Sequence, residues 1–284
     1  MKRKLNELLT TSNHKARAIF LDYDGTVYDR KNGVIPSSTV AAIESLRKNN
    51  YQVYLCTGRS LQSLKDTGAT DKLKLDGWIC VNGQEIYDSE FNCIFSVSMN
   101  ANDDNRIYSE ISNRGLALVA STDKGFIWVN PDKTADLSKE TLKDLHNNYH
   151  TNYTIGSVNE RVVYNYSVVT NTTTLSDADL VQLENSLNRE SDRFSVCRSH
   201  KLYFDINLKQ YTKAYAIEQI CQQKNIDLTI GIGDENNDID MLKKVDFAVV
   251  MENGSNPMKE LADFVTDAVD RDGIWSFTQK LLNQ

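Results

Sequence analysis

Short apolar runs alternate with amphipathic stretches at the start of the chain. Ala18-Ile19-Phe20-Leu21, Gln52 to Cys56 and Trp78 to Val81 each read as a buried strand. Between the first two, Pro36-Ser37-Ser38 opens a helix with Val40, Ile43 and Leu46 among its apolar positions, and Asn49-Asn50 closes it. Ser60 is placed to cap the helix after the second strand. Alternating strands and helices build a parallel sheet. Gln84-Glu85-Ile86-Tyr87 and Cys93 to Val97, joined by a polar turn, predict a hairpin.

From about Ser98 the pattern changes. Helices are expected at Asn102 to Asn113, near Ala135 to Asn148, and from a Ser176 cap through Leu187. Strands are expected at Leu116 to Ser121, Gly125 to Val129, Val162 to Val169, Phe194 to Arg198 and Leu202 to Ile206. This mixed, largely antiparallel order belongs to an α+β unit. After Asn207 the alternation resumes, with helices at Tyr215 to Cys221 and Ile239 to Lys244 and strands at Leu228 to Ile232, Phe247 to Met251 and Phe264 to Thr266. A helix from Ile274 to Leu282 closes the chain. The economical reading is one α/β domain, residues 1–97 and 208–284, interrupted by an α+β domain at 98–207.

Composition narrows the partners. With 39 acidic and 32 basic side chains the net charge is −7, which argues against a nucleic-acid backbone or an anionic membrane as main partner. No stretch approaches about 18 consecutive apolar residues, so no membrane span is expected, and Leu5 to Arg17 is too polar for a signal sequence. The five cysteines are scattered without paired spacing. They read as reduced packing residues of a soluble, cytoplasmic protein.

The candidate chemistry lies where strands end. Asp22 and Asp24 follow the first strand two residues apart, so they can aim two carboxylates into one volume at the carboxyl end of a sheet. Like charges so close call for a cation, or mark an acid/base pair. Thr57-Gly58-Arg59 follows the second strand, a hydroxyl and backbone amides suited to a phosphate oxygen. Gly233-Asp234-Glu235-Asn236-Asn237-Asp238 offers oxygen ligands for a hard cation, and a helical start would put Asp234 and Asp238 on one face. The same segment also reads as an acidic helix N-terminus stabilised by the helix dipole. Lys213 opens the helix before this segment, a position where a lone lysine is ordinarily a solvated charge. His14, His146, His150 and His200 lack ligand spacing, and Tyr149, Tyr153, Tyr164 and Tyr166 read as sheet packing more readily than as a pocket lining.

Taken in order, Asp22-x-Asp24-Gly-Thr, Thr57-Gly58-Arg59, Lys213 and Gly233-Asp234-x-x-Asn237-Asp238 resemble the four motifs of haloacid dehalogenase-like phosphatases, in particular the Cof-type branch with a large inserted cap. The resemblance continues through Asn82-Gly83, Asp205-Ile206, Met251-Glu252-Asn253, Ala262 to Thr266 and Asp272-Gly273. Ala214 and Glu252 depart from it where glycine is usual. It implies a Rossmann-like parallel-sheet core with an inserted α+β cap, and Mg²⁺-dependent hydrolysis of a small phosphorylated metabolite through an aspartyl-phosphate. Asp22 would be the nucleophile and Asp24 the acid and base. The Asp22 and Asp234 carboxylates and the Asp24 carbonyl would hold Mg²⁺. Thr57, Gly58, Lys213 and Asn237 would hold the phosphoryl oxygens, with Asp238 behind them orienting a water of the metal or pairing with Lys213. A phosphomutase, a receiver-like signalling domain and a non-catalytic phospho-ligand-binding protein are the alternatives.

Overall fold

The apolar run after Ala16 becomes the middle strand of an eight-stranded sheet, because every side chain in it from Ala18 to Leu21 has an apolar layer to enter on one face or the other. The computed structural model describes residues 16–129, 153–169, 176–200 and 203–283. They fall into two units, one made of the described residues within 16–59, 68–95 and 212–283 and one of those within 60–67 and 96–211.

Strands are numbered along the chain. The first unit holds β1 (Arg17–Leu21), β2 (Tyr51–Cys56), β3 (Gly77–Cys80), β4 (Glu85–Asp88) and β5 (Cys93–Ser96), and later β12 (Leu228–Gly233), β13 (Phe247–Met251) and β14 (Phe264–Thr266). Their order is β14-β13-β12-β1-β2-β3-β4-β5. Six run parallel, and β4 pairs antiparallel with β3. The chain leaves β1 toward β2 on one side and returns as β12 on the other, which makes the β1/β12 boundary the topological switch point, where such sheets hold their ligands.

Helices cover both faces. Helix α1 (Ser37–Lys48) buries Thr39, Ala42, Ile43 and Leu46, a stripe at helical spacing, and carries Arg47 and Lys48 at the end where the helix dipole favours cations. The closing helix, Gly273–Leu282, packs beside it. On the opposite face Ala216, Ile217 and Ile220 of helix Lys213–Lys224 join Phe20, Tyr54, Met241 and Val250 in one apolar cluster.

The second unit is α+β. Its sheet runs β10 (Phe194–His200), β11 (Tyr203–Leu208), β9 (Val163–Val169), β6 (Ala117–Thr122), β7 (Gly125–Trp128), β8 (Tyr153–Ile155). All its pairings are antiparallel except β7 with β8. Helices Ala101–Asn113 and Asp177–Leu187 lay Ile107, Ile111, Leu180, Leu183 and Leu187 on Leu118, Tyr166, Val168, Phe204 and Ile206. Each helix starts with a reciprocal cap, Asn100 with Asp103 and Ser176 with Asp179. Several of the residues that alternate with that core are polar, and Asn165 bonds Asn207 at 3.2 Å while Ser167 bonds Asp205 at 2.6 Å.

The parallel core and the α+β unit match the expected fold class. The strand β8 was not expected, since three residues paired to a distant strand leave no periodicity to read. The helix expected near 135–148 lies outside the described residues, as do His14, His146, His150, Tyr149 and the side chains of Tyr153 and His200. Tyr166 packs in the core with its hydroxyl donating to Asp104. All five cysteines are free, Cys56 and Cys80 buried and Cys93 and Cys197 exposed. Among the described residues no helix is long and apolar enough to cross a membrane.

Candidate active site

Asp22 continues β1, its amide donating to the Ile232 carbonyl at 2.8 Å, so its side chain emerges at the switch point beside the end of β12. Three carboxylates, those of Asp22, Asp234 and Asp238, converge there with oxygens within 4.8 Å of one another, and all three are buried. Lys213 lies between two of them. Its Nζ donates to Asp22 Oδ1 and to Asp238 Oδ1, both at 2.6 Å, and its side chain is fully buried. Thr212 caps the helix that Lys213 begins by accepting from the Tyr215 amide, which fixes the lysine at the helix's first position.

One lysine does not balance this charge. Burial, then the charge of Asp238, pushes the Asp22 carboxyl up to about 7, and Lys213 only partly opposes them. Burial and the charges of Asp22 and Asp238 hold Asp234 well above the usual carboxylate range. Burial alone would depress Lys213, but the two aspartates beside it outweigh that and hold it well above its ordinary value. A buried oxygen-donor set with excess negative charge fits a hard divalent cation.

Asp234 is clamped at both oxygens. Thr26 Oγ1 donates to Oδ1 at 3.1 Å and Asn253 Nδ2 to Oδ2 at 3.0 Å, and the same Asn253 nitrogen reaches the Gly25 carbonyl at 2.9 Å. Asn253 Oδ1 in turn accepts from the Val269 amide. Gly25 has φ of 88°, and any Cβ there would run into the Asp234 carboxylate, so only glycine allows the β1 loop to lie against that side chain.

The stretch after Asp234 is not the helix start that four-residue spacing suggested. Asn236–Asp238 forms a 3₁₀ turn and the α-helix begins at Ile239. Asp238 therefore folds back, its Oδ2 accepting from the Asp234 and Glu235 amides at 3.0 and 3.2 Å while Oδ1 takes Lys213. Asp238 and Asp234 come together through a local carboxylate–amide turn rather than along a helix face.

Asp24 stands apart from the three converging carboxylates. Arg59 holds it with two bonds of 2.7 Å, Nε to Oδ2 and Nη2 to Oδ1, and Arg30 adds Nε to Oδ1 at 3.2 Å. Burial would raise the Asp24 pKa, yet the two guanidiniums outweigh it and hold the carboxyl below its usual range. Arg59 is itself buried, with its guanidinium carbon 5.3 Å and 5.7 Å from the ring centroids of Tyr23 and Tyr28, which stack on each other.

The expected phosphoryl-binding residues occupy the rim of the same sheet end. Thr57 follows β2 and its Oγ1 accepts from the Arg59 amide at 3.1 Å, which leaves its hydroxyl proton able to donate. Asn82, in a left-handed turn after β3, donates its amide to the Thr57 carbonyl, and its Oδ1 accepts from Asn237 Nδ2 at 3.4 Å. Asn82 thus ties the Thr57-Gly58 turn to Asn237. The sequence placed Thr26 in the loop after β1 and Asn82 and Asn253 within the resemblance, but gave none of them these partners, and it did not anticipate the pairing of Arg59 and Arg30 with Asp24. An Asn-Gly pair after a strand and an Asn after β13 were visible signals, but their partners were not.

The family model for haloacid dehalogenase-like hydrolases matches residues 19–277. The 5-amino-6-(5-phospho-D-ribitylamino)uracil phosphatase YcsE of Bacillus subtilis (strain 168) is 24% identical over 270 residues, covering 91% of this chain and 92% of its own. Among solved structures, BT1666 from Bacteroides thetaiotaomicron, a phosphatase of the same superfamily, superposes with a TM-score of 0.80 at 20% identity, covering 95% of this chain and 96% of its own. The subclass IIB sugar phosphatase BT4131 gives 0.76 at 22% identity, with 93% and 98% covered.

Proposed function

The chain belongs to the haloacid dehalogenase-like hydrolases, and from that premise we propose that it is a Mg²⁺-dependent phosphatase acting on a small phosphomonoester through an aspartyl-phosphate on Asp22. The observation that carries this reading is the buried convergence of Asp22, Asp234 and Asp238 around Lys213 at the switch point of the sheet.

The Asp22 and Asp234 carboxylates and the Asp24 carbonyl would hold the cation, which when bound supplies the positive charge that lets an anionic nucleophile meet an anionic phosphoryl group. Asp22 attacks phosphorus, forming the acyl phosphate as the bond to the leaving oxygen breaks. Lys213, pinned between Asp22 and Asp238, offers its remaining donor to a phosphoryl oxygen, and Asp238 keeps that ammonium in place. Thr57, Gly58 and Asn237 bind the other phosphoryl oxygens from the opposite rim. Thr26 and Asn253 position Asp234.

Asp24 protonates the departing alkoxide and afterwards accepts a proton from the water that opens the acyl phosphate. Arg59 and Arg30 keep it ionised, which is the form the second step uses. The proton-donating form is favoured when Arg30 leaves Asp24 as substrate enters, which removes one of the two charges that hold its pKa down. Phosphoryl transfer to a non-water acceptor would use the same residues and would show as phosphorylated product from a bisphosphate donor.

The test is turnover of a phosphomonoester panel with and without chelator. Activity is expected to vanish in chelator, to return with Mg²⁺ and to return poorly with Ca²⁺, which takes more ligands at longer distances. Full turnover in excess chelator would overturn the reading.

A further inference from the structure

Among the described residues, Lys213, Arg59 and Arg30 face the carboxylates of this site, and they differ in how firmly they are held. Lys213 is fully buried between two aspartates. Arg59 has 4% of its side chain exposed, binds Asp24 at two points and packs on two tyrosine rings. Arg30 has 54% of its side chain exposed and meets Asp24 with Nε at 3.2 Å from Oδ1. Among the described residues Asp24 is its one ion-pair partner, and Asp24 is already satisfied by Arg59.

The backbone under Arg30 is nonetheless fixed. Asp29 accepts from the Lys31 amide at 2.9 Å, the Asn32 amide at 3.2 Å and Asn32 Nδ2 at 2.6 Å, and its own amide pairs with the Val34 carbonyl. A half-exposed guanidinium on a pinned loop can swing without refolding its support. Its two terminal nitrogens have the fork that matches a carboxylate or phosphoryl group.

Position says which anion it would meet. On the reading proposed above, Asp24 faces the leaving oxygen, and the half-exposed Arg30 is paired with Asp24. Through that pairing it lies beside the leaving oxygen, within reach of the charges of Asp22 and Asp234 as well. We propose that Arg30 is a specificity-determining residue that exchanges Asp24 for a second anionic group on the leaving portion of the substrate, so that preferred substrates are phosphomonoesters carrying a carboxylate or a second phosphoryl group near the ester oxygen.

Matched substrates test this: glycerol 3-phosphate with an uncharged leaving portion, 3-phosphoglycerate with a carboxylate in its place, and ethane-1,2-diyl bisphosphate with a second phosphoryl group. Each is assayed with wild type, Arg30→Gln and Arg30→Lys, after thermal unfolding confirms that the variants are folded. One charge-assisted contact corresponds to roughly ten- to hundredfold in binding. Arg30→Gln should therefore raise KM for the doubly anionic substrates by that factor beyond its effect on glycerol 3-phosphate. Arg30→Lys should keep part of the preference. The carboxylate and bisphosphate arms show which group is taken.

Calorimetric binding of inorganic pyrophosphate against inorganic phosphate, with Mg²⁺ present, gives a readout apart from turnover. The wild-type preference for pyrophosphate should shrink in Arg30→Gln. If Arg30→Gln weakens all substrates and both anions equally, or none, the assignment of Arg30 is overturned. If wild type turns over no phosphomonoester while its pyrophosphate preference still depends on Arg30, the phosphatase reading fails and the anion site stands.

Discussion

Asp22 contributes both a liability and a handle. Its carboxyl is raised from 3.8 to about 7 by burial and by Asp238, so the folded protein without cation holds a proton that the unfolded chain has lost. The stability contributed by this group is therefore full below about pH 4 and is lost as pH rises through 7. A cation bound at the site competes with that proton, so Mg²⁺ affinity should rise as pH is taken from 5 to 8 and level off above. Calorimetric titration of Mg²⁺ at several pH values checks this, and an affinity independent of pH would place the cation away from Asp22. Which residues could be read from the sequence follows from range. Asp22 and Asp234 stand out because each directly follows an apolar strand. The clamps on Asp234 do not, since Thr26 lies 208 residues away and no periodicity links the two. Arg59 was visible as part of a Thr-Gly-Arg turn, but its grip on Asp24, 35 residues earlier, depends on β1 and β2 being neighbours. Taken alone Lys213 reads as a surface charge, and only the resemblance gave it a place among the phosphoryl-binding residues; it is fully buried, because burial is decided by its two distant partners.

Among the elements, the parallel strands and their helices were legible because apolar runs and helical stripes are local patterns. The 3₁₀ turn at Asn236–Asp238 was not, because a carboxylate accepting two backbone amides competes with helix formation in a way that spacing does not reveal. A similar close contact joins two loops around Lys213. Gly83 has φ of 102°, and a Cβ there would strike the Thr212 carbonyl and lie 3.2 Å from the Lys213 amide. Gly83→Ala should cost about 1–3 kcal/mol in urea unfolding and should also lower turnover, because relieving the clash moves the start of the helix that carries Lys213. Gly115→Ala is the control, since φ there is 70° but the space is open. It should be strained without loss of turnover per folded molecule. Equal turnover in the two variants would mean that Gly83 does not position the lysine.

At the scale of the molecule, each unit has its own apolar core, the first gathered around Phe20, Tyr54 and Val250 and the second around Ile107, Tyr166 and Phe204. All the residues proposed for chemistry belong to the first unit. The second carries amides, hydroxyls and a carboxylate on the strand positions that alternate with its core, Ser121, Asn165, Ser167, Asp205 and Asn207, all but Asp205 buried. We propose that it acts as a cap whose polar groups discriminate among leaving groups. Replacing residues 98–207 by a short linker should leave a folded core that binds Mg²⁺, keeps the preference that Arg30 supplies and has lost the rest of its ranking of substrates. Unchanged relative rates across the panel would assign selectivity to the core alone.

The central claim is that Asp22 and Asp24, two residues apart, do different chemistry. Asp22→Asn removes the nucleophile and a charged cation ligand. Asp24→Asn keeps the side chain's shape and the backbone carbonyl, and loses proton transfer, typically a contribution of roughly 10²–10⁴-fold. An aryl phosphate has a leaving group that needs little protonation, so it should still phosphorylate the Asp24→Asn protein, and the acyl phosphate should accumulate because no base activates water. Rapid-quench labelling of both variants with a radiolabelled aryl phosphate is the decisive measurement. Label retained on Asp24→Asn and absent from Asp22→Asn is the result expected, and label on Asp22→Asn with none on Asp24→Asn would contradict the assignment.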